Sequence, residues 1–126
     1  MTDINRVPPA LQEIPGWLLW KFVSKPGEVK PRKIPFYANG RQRAGQQGGE
    51  ADRARLAPFD AACAAYLSGN WDGLGLAMLP EWGLVALDFD HCVDEAGEVV
   101  PQVMDAVSGT YSEFSPSGRG VRAFVR

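Results

Sequence analysis

The 126 residues predict an α+β domain, a mixed, largely antiparallel sheet flanked by helices. Two observations carry that class. Apolar or aromatic runs of strand length alternate with segments of helical pattern, and glycine- and proline-rich turns punctuate both. The content, 45% hydrophobic and 22% charged, is that of an ordinary globular chain able to bury one core. No repeat, low-complexity tract or domain boundary interrupts the pattern, so residues 1–126 are expected to form a single domain.

The elements follow in order. Pro8 to Glu13 predicts a short helix stopped by Pro15-Gly16. Trp17-Leu18-Leu19-Trp20-Lys21-Phe22-Val23 reads as a strand, and Lys25-Pro26-Gly27-Glu28 turns it back into Lys33-Ile34-Pro35-Phe36-Tyr37 as a hairpin. Pro35 lacks an amide hydrogen and suits an edge strand. Ala38 to Asp52, with Asn39-Gly40, Gly45 and Gly48-Gly49, reads as a mobile polar loop. Pro58 to Ser68 is a helix with Pro58 in its first turn and Gly69-Asn70 at its end. Gly73 to Leu79 and Gly83 to Asp88 read as paired strands joined around Pro80-Glu81, and Pro101 to Val107 is a further helix.

The strand Gly83-Leu84-Val85-Ala86-Leu87 closes on Asp88-Phe89-Asp90. Alternate strand residues share a face, so Asp88 and Asp90 are expected side by side with Phe89 turned into the opposite layer. Two carboxylates held together repel unless a cation lies between them. Hard oxygen ligands suit Mg²⁺ or Mn²⁺, the ions of nucleotidyl-transfer sites. The same tripeptide also suits a solvated strand end, where Asp tolerates the turn.

About twenty-five residues on comes Tyr111-Ser112-Glu113-Phe114-Ser115-Pro116-Ser117-Gly118-Arg119-Gly120-Val121-Arg122, a glycine turn between two β-like stretches. Gly118 and Gly120 permit positive φ and a close approach of backbone amides to a ligand. Ser115 and Ser117 add hydroxyls, and Arg119 and Arg122 add charge, so the turn can be read as a phosphate cradle. It can equally be read as a tight hairpin. The chain has neither the Gly-Lys-Ser/Thr ending of a P-loop nor the glycine fingerprint of a dinucleotide-binding helix.

Taken together and in order, these two segments resemble the primase-polymerase domains of phages, plasmids and integrated elements, in the archaeo-eukaryotic primase superfamily. The similarity extends upstream through Val7-Pro8-Pro9-Ala10-Leu11, Trp17 to Lys21, Lys33 to Tyr37, Phe59 to Ala62 and Gly73-Leu74-Gly75-Leu76. It implies that Asp88 and Asp90 bind the catalytic metal and that the glycine turn and the residues after it contact the phosphates of an incoming nucleotide. Two departures stand out. The family's histidine falls at Arg122, which keeps a permanent charge and can fork onto phosphate but cannot titrate. The family's third acidic residue, on a later strand, has no counterpart before Arg126. The chain is therefore expected to be the front part of a longer polypeptide or a trimmed relative, inactive alone.

Charge is unevenly spread. Residues 21–55 hold nine basic against three acidic residues, a net of +6, whereas residues 56–126 hold three against ten, a net of −7. A basic half suits template or primer phosphates and an acidic half suits metal; a basic loop region that merely favours solubility has the same composition. Cys63 and Cys92 are too few for a disulfide framework or zinc site, and Cys63 lies in an alanine-rich helical pattern that buries it. With no apolar run of membrane length and no signal-like start, the expected address is the cytoplasm. Trp17, Trp20, Trp71 and Trp82 could stack on bases, but their apolar neighbours favour packing for at least three of them. His91, the only histidine, is expected to orient a carboxylate rather than ligate metal. Asp94 and Glu95 fall in a polar turn with no chemistry assigned.

The resemblance implies template-directed nucleotidyl transfer on single-stranded DNA in the replication of a mobile element. Asp88 and Asp90 would hold Mg²⁺ or Mn²⁺, and Ser117, Gly118, Arg122 and, in support, Lys33 would hold the nucleoside triphosphate. Lys33 equally suits a solvated edge-strand charge. A non-catalytic nucleotide- or single-stranded-DNA-binding module, attached to a helicase in a longer polypeptide, is the alternative. A hydrolase using the Asp pair is a weaker third, since no matched general base accompanies it.

Overall fold

The computed structural model describes residues 3–125; the opening Met1-Thr2 and the basic Arg126 counted above lie outside the described residues. The α+β class is observed, with four α-helices and two three-stranded antiparallel sheets. The chain divides into two compact units, one ending at Leu79 and the other beginning at Pro80.

In the first unit, α1 (Pro9–Gln12) precedes β1 (Trp17–Val23), which hairpins into β2 (Arg32–Phe36). After a connection come α2 (Glu50–Arg55), α3 (Phe59–Ser68) and β3 (Gly73–Leu76). The sheet order is β2-β1-β3. Leu18, Leu19 and Trp20 are buried because β1 is the central strand, paired on both sides. Pro35 does sit on an edge, opposite Trp20, where its missing amide hydrogen breaks no ladder. Helix α3 packs on β1 and β3, with Phe59 edge-on to Trp17 at 4.9 Å between ring centroids.

Three expectations are corrected here. The segments on either side of Pro80-Glu81 do not pair: β3 joins β1, whereas β4 (Val85–Phe89) belongs to the other sheet. A 3-10 turn at Pro80–Trp82 separates them instead of a hairpin. Nor is Ala38–Asp52 an untethered loop. Asp52, only 2% exposed, accepts hydrogen bonds from Tyr37 Oη at 2.7 Å, Arg43 Nε at 2.9 Å and Nη2 at 2.7 Å, and Gly48 N at 2.8 Å. Tyr37, Arg43 and Gly48 are therefore all tied to one carboxylate, which lies in the first turn of α2. Cys63, expected to be buried, is half-buried, and burial with nearby Asp60 pushes its thiol pKa up.

The second unit contains β4, α4 (Pro101–Val107), β5 (Tyr111–Phe114) and β6 (Val121–Val125), with β6 central in the order β4-β6-β5. Pro101 opens α4, where a missing amide hydrogen costs nothing. Val107 of α4 clusters with Cys92, Val121 and Ala123, and Phe89, Val93, Val99 and Val103 pack against them. One sheet face is thereby given to the core. Strand alternation turns Arg122 and Phe124 to the other. Among the described residues no helix is long and apolar enough to cross a membrane.

Candidate functional site

The central strand of the second unit decides which polar groups meet. Arg122 lies directly opposite Asp88 of β4 on one side and Glu113 of β5 on the other. One row across the sheet thus reads Asp88–Arg122–Glu113, all on the face turned away from Val121 and Ala123. Arg122 Nε donates to Asp88 Oδ1 at 2.8 Å. The carboxylate is 60% exposed and the guanidinium side chain 29%, so the pair faces solvent rather than the core. Beside this row, Tyr111 stacks on Phe124 at 6.0 Å and its hydroxyl donates to Glu113 Oε2 at 2.9 Å. Glu113 escaped the sequence reading because only strand register brings it opposite Arg122. Two strand spacings put it roughly 9–10 Å from Asp88, too far to share one small ion.

Asp90 is not on the strand. β4 ends at Phe89, and Asp90 follows as the first exposed residue beyond it, so the ladder does not hold it on Asp88's face. His91 next adopts φ 53°, an uncommon left-handed conformation for a residue with a Cβ. The chain is then anchored again, since Cys92 N and Val93 N both donate to Arg119 O, at 3.0 and 3.1 Å. Asp94 Oδ1 closes a local turn by accepting from Ala96 N and Glu98 N, each at 2.9 Å, in keeping with a purely structural role.

That anchor joins the two motifs physically. The glycine turn 115–120 lies against the end of β4: a Cβ placed on Gly120 would come 2.8 Å from Phe89 O and 3.1 Å from Ser115 Oγ. Within the turn, Gly118 N donates to Ser115 O at 2.8 Å, Gly120 N to Ser115 Oγ at 3.0 Å and Arg119 N to Ser117 Oγ at 3.3 Å. Ser115 Oγ and Ser117 Oγ are themselves 3.0 Å apart. The amides expected to cradle phosphate are thus engaged inside the turn. The donors the turn and β6 leave for an anion are side chains, namely Arg122, the exposed Arg119 and the serine hydroxyls.

Of the residues singled out from sequence, Asp88, Asp90, Ser117, Gly118 and Arg122 belong to this one sheet end and its loops. Lys33 does not. It lies on β2 of the first unit, with Nζ 4.5 Å from the centroid of the Trp20 ring. Trp17 and Trp20 are buried, and Trp20 Nε1 donates to Leu74 O at 3.1 Å, so both act in packing.

A divalent ion needs oxygen donors that converge on one point. Among the described residues, no group of three His, Cys, Asp or Glu side chains converges. Asp88 keeps Oδ2 outside the ion pair, and Asp90 is two residues away and exposed. The described residues therefore form no all-protein cage; Mg²⁺ or Mn²⁺ can also be bound through only one or two carboxylates when substrate phosphates complete the shell. No family model and no curated protein matches the chain.

Proposed function

We propose that this chain is a primase-polymerase-like domain, acting in nucleotidyl transfer on single-stranded DNA in the replication of a phage or mobile element, in the cytoplasm. The observation that carries the reading is the Asp88–Arg122 pair, beside the turn that carries Ser115, Ser117 and Gly118. A carboxylate able to hold a cation and a guanidinium able to hold a phosphate sit next to each other on an exposed sheet face. Triphosphate–metal complexes carry both charges together, so one ligand satisfies both groups at once.

Asp88 and Asp90 would hold the divalent ion, which when bound would activate the attacking hydroxyl and neutralise charge on the departing pyrophosphate. Arg122 turns its fork from Asp88 to the phosphate oxygens, and Ser117 donates its hydroxyl beside it, with Gly118 permitting the turn.

A second reading is favoured by the two-carboxylate donor set: a nucleotide- or single-stranded-DNA-binding module without catalysis, serving a helicase in a larger replication protein. Calorimetric titration with a nucleoside triphosphate, in Mn²⁺ and then in EDTA, tests both. Saturable binding that needs the metal and is lost in Asp88→Ala supports the site, and primer extension then separates enzyme from module. Equal binding with and without metal, or none at all, counts against the metal–nucleotide site.

A further inference from the structure

The β1–β2 hairpin carries features that packing of its own unit does not use. Its connection turns at Lys25-Pro26-Gly27-Glu28, with Glu28 N donating to Lys25 O at 3.2 Å and Gly27 at φ 81°, the turn geometry that proline followed by glycine favours. Arg32 then forks onto Glu28, with Nε 2.8 Å from Oε2, which braces the tip. Residues 24–31 are all exposed, and Val29 is 99% exposed, an apolar side chain with nothing of its own chain to cover it. Phe22, 43% exposed, sits directly opposite Lys33 in the ladder. Beneath it, Trp20 meets the Phe22 ring edge-on at 5.2 Å. The Phe22 backbone is fixed as well, since its amide donates to Asp72 Oδ2 at 2.8 Å.

Lysines are concentrated in this hairpin: Lys33 lies opposite Phe22 in the ladder, and Lys25 and Lys30 are exposed in the connection. Lys25, Lys30, Arg32 and Lys33 stand against one acid between residues 24 and 33, Glu28, which Arg32 already engages. An exposed aromatic ring on a strand, in a hairpin that also carries these lysines, has the chemistry of a base-stacking platform with phosphate-binding charge. A duplex hides the faces of its bases, whereas an unpaired strand offers them. A membrane surface calls for a broader apolar face than one phenyl ring and one valine supply.

We propose that the β1–β2 hairpin is a binding arm for single-stranded nucleic acid, with a base stacked on Phe22 and phosphates held by Lys25, Lys30 and Lys33. The inference extends the reading above by giving the copied strand a surface, but it stands on the first unit alone. It also gives Lys33 a different role from the nucleotide contact expected from sequence.

The test is fluorescence anisotropy of a labelled oligothymidylate with the full chain, in EDTA and without nucleotide, so that the Asp88 site contributes nothing to the readout. Three phosphate contacts predict a slope of about −2 for log K against log salt. Phe22→Leu, which keeps apolar packing but not the ring face, is expected to weaken binding about tenfold while leaving the slope unchanged. Phe22→Tyr is expected to restore it. Lys25→Ala with Lys30→Ala is expected to cut the slope to about −0.7. The proposal is overturned by no binding at low salt, by binding that neither set of substitutions alters, or by a duplex competitor bound as tightly as the single strand.

Discussion

Arg122 occupies the position against Asp88 that a bound cation would take, its Nε 2.8 Å from Oδ1. On the function proposed above, the pair would neutralise the carboxylate without metal and compete with it. A metal ion arriving alone would displace the guanidinium, whereas one arriving with a triphosphate would offer the guanidinium a new partner. Exposed ion pairs are worth about 0.2–1 kcal/mol. Arg122→Gln is therefore expected to tighten Mn²⁺ binding by about two- to fivefold without nucleotide, and to weaken the triphosphate with metal present. Paramagnetic titration of Mn²⁺ reads the first effect and calorimetry the second. Unchanged Mn²⁺ affinity in Arg122→Gln would sink the competition.

The other Asp–Arg pair is set in a different solvent. Asp52 and Arg43 meet at 2.7 Å with side-chain exposures of 1% and 10%, and Tyr37 and Gly48 complete the carboxylate's partners. Removing one partner from such a pair leaves an uncompensated buried charge. Asp52→Ala is accordingly expected to cost about 3–5 kcal/mol, whereas Asp88→Asn should cost less than about 1 kcal/mol. Urea denaturation followed by tryptophan fluorescence compares them. Similar losses in the two variants would show that burial does not separate the pairs.

The same contacts set a pH signature. Arg43, then the Gly48 amide and the Tyr37 hydroxyl, hold the Asp52 carboxyl well below the usual carboxylate range, against the opposing pull of burial. A depressed folded-state pKa contributes stability that is complete above the unfolded value of about 3.9 and is lost as pH falls below it. The stability gap between the wild type and Asp52→Asn is expected to be constant from about pH 5 to 8 and to shrink below about pH 4. A gap that narrows instead as pH rises through neutrality would assign it to another group.

What sequence revealed and what it hid divide along local and non-local lines. β1, α3, α4 and the edge position of Pro35 were legible because each rests on a local pattern: an aromatic run, an alanine-rich turn spacing, a proline at the first helical position, a missing amide. α2 was not, since Glu-Ala-Asp-Arg-Ala-Arg, four charged residues and two alanines, carries no apolar stripe and its first turn is anchored by a buried carboxylate, Asp52. The partners of β3 and β4 were misread because adjacency in the chain argued for a hairpin, and only long-range pairing decides otherwise. At the candidate site, Asp88 and Arg122 were each singled out, but their contact depends on register between residues 34 positions apart. Glu113 was hidden for the same reason.

Gly118 and Gly120 separate two physical demands on one turn. Gly118 has φ 76° with nothing within 4 Å of a built Cβ, so its requirement is conformational. Gly118→Ala should cost about 1–2 kcal/mol, the left-handed penalty of a residue bearing a Cβ. Gly120 is instead sterically confined, with Phe89 O 2.8 Å from where a Cβ would lie. That oxygen is backbone of the neighbouring strand and cannot swing aside as a side chain would. Gly120→Ala must therefore push the turn away from the end of β4, at about 1–3 kcal/mol, the usual range for overpacking. It should also disturb the Ser115 hydroxyl that accepts from Gly120 N, and with it the Ser117 hydroxyl 3.0 Å away. Nucleotide titration of both variants is expected to show the larger loss in Gly120→Ala, even after denaturation midpoints confirm that both are folded. The reverse order, with Gly118→Ala the more damaging to binding, would mean that ligand contact depends on the bend of the turn and not on its seat against β4.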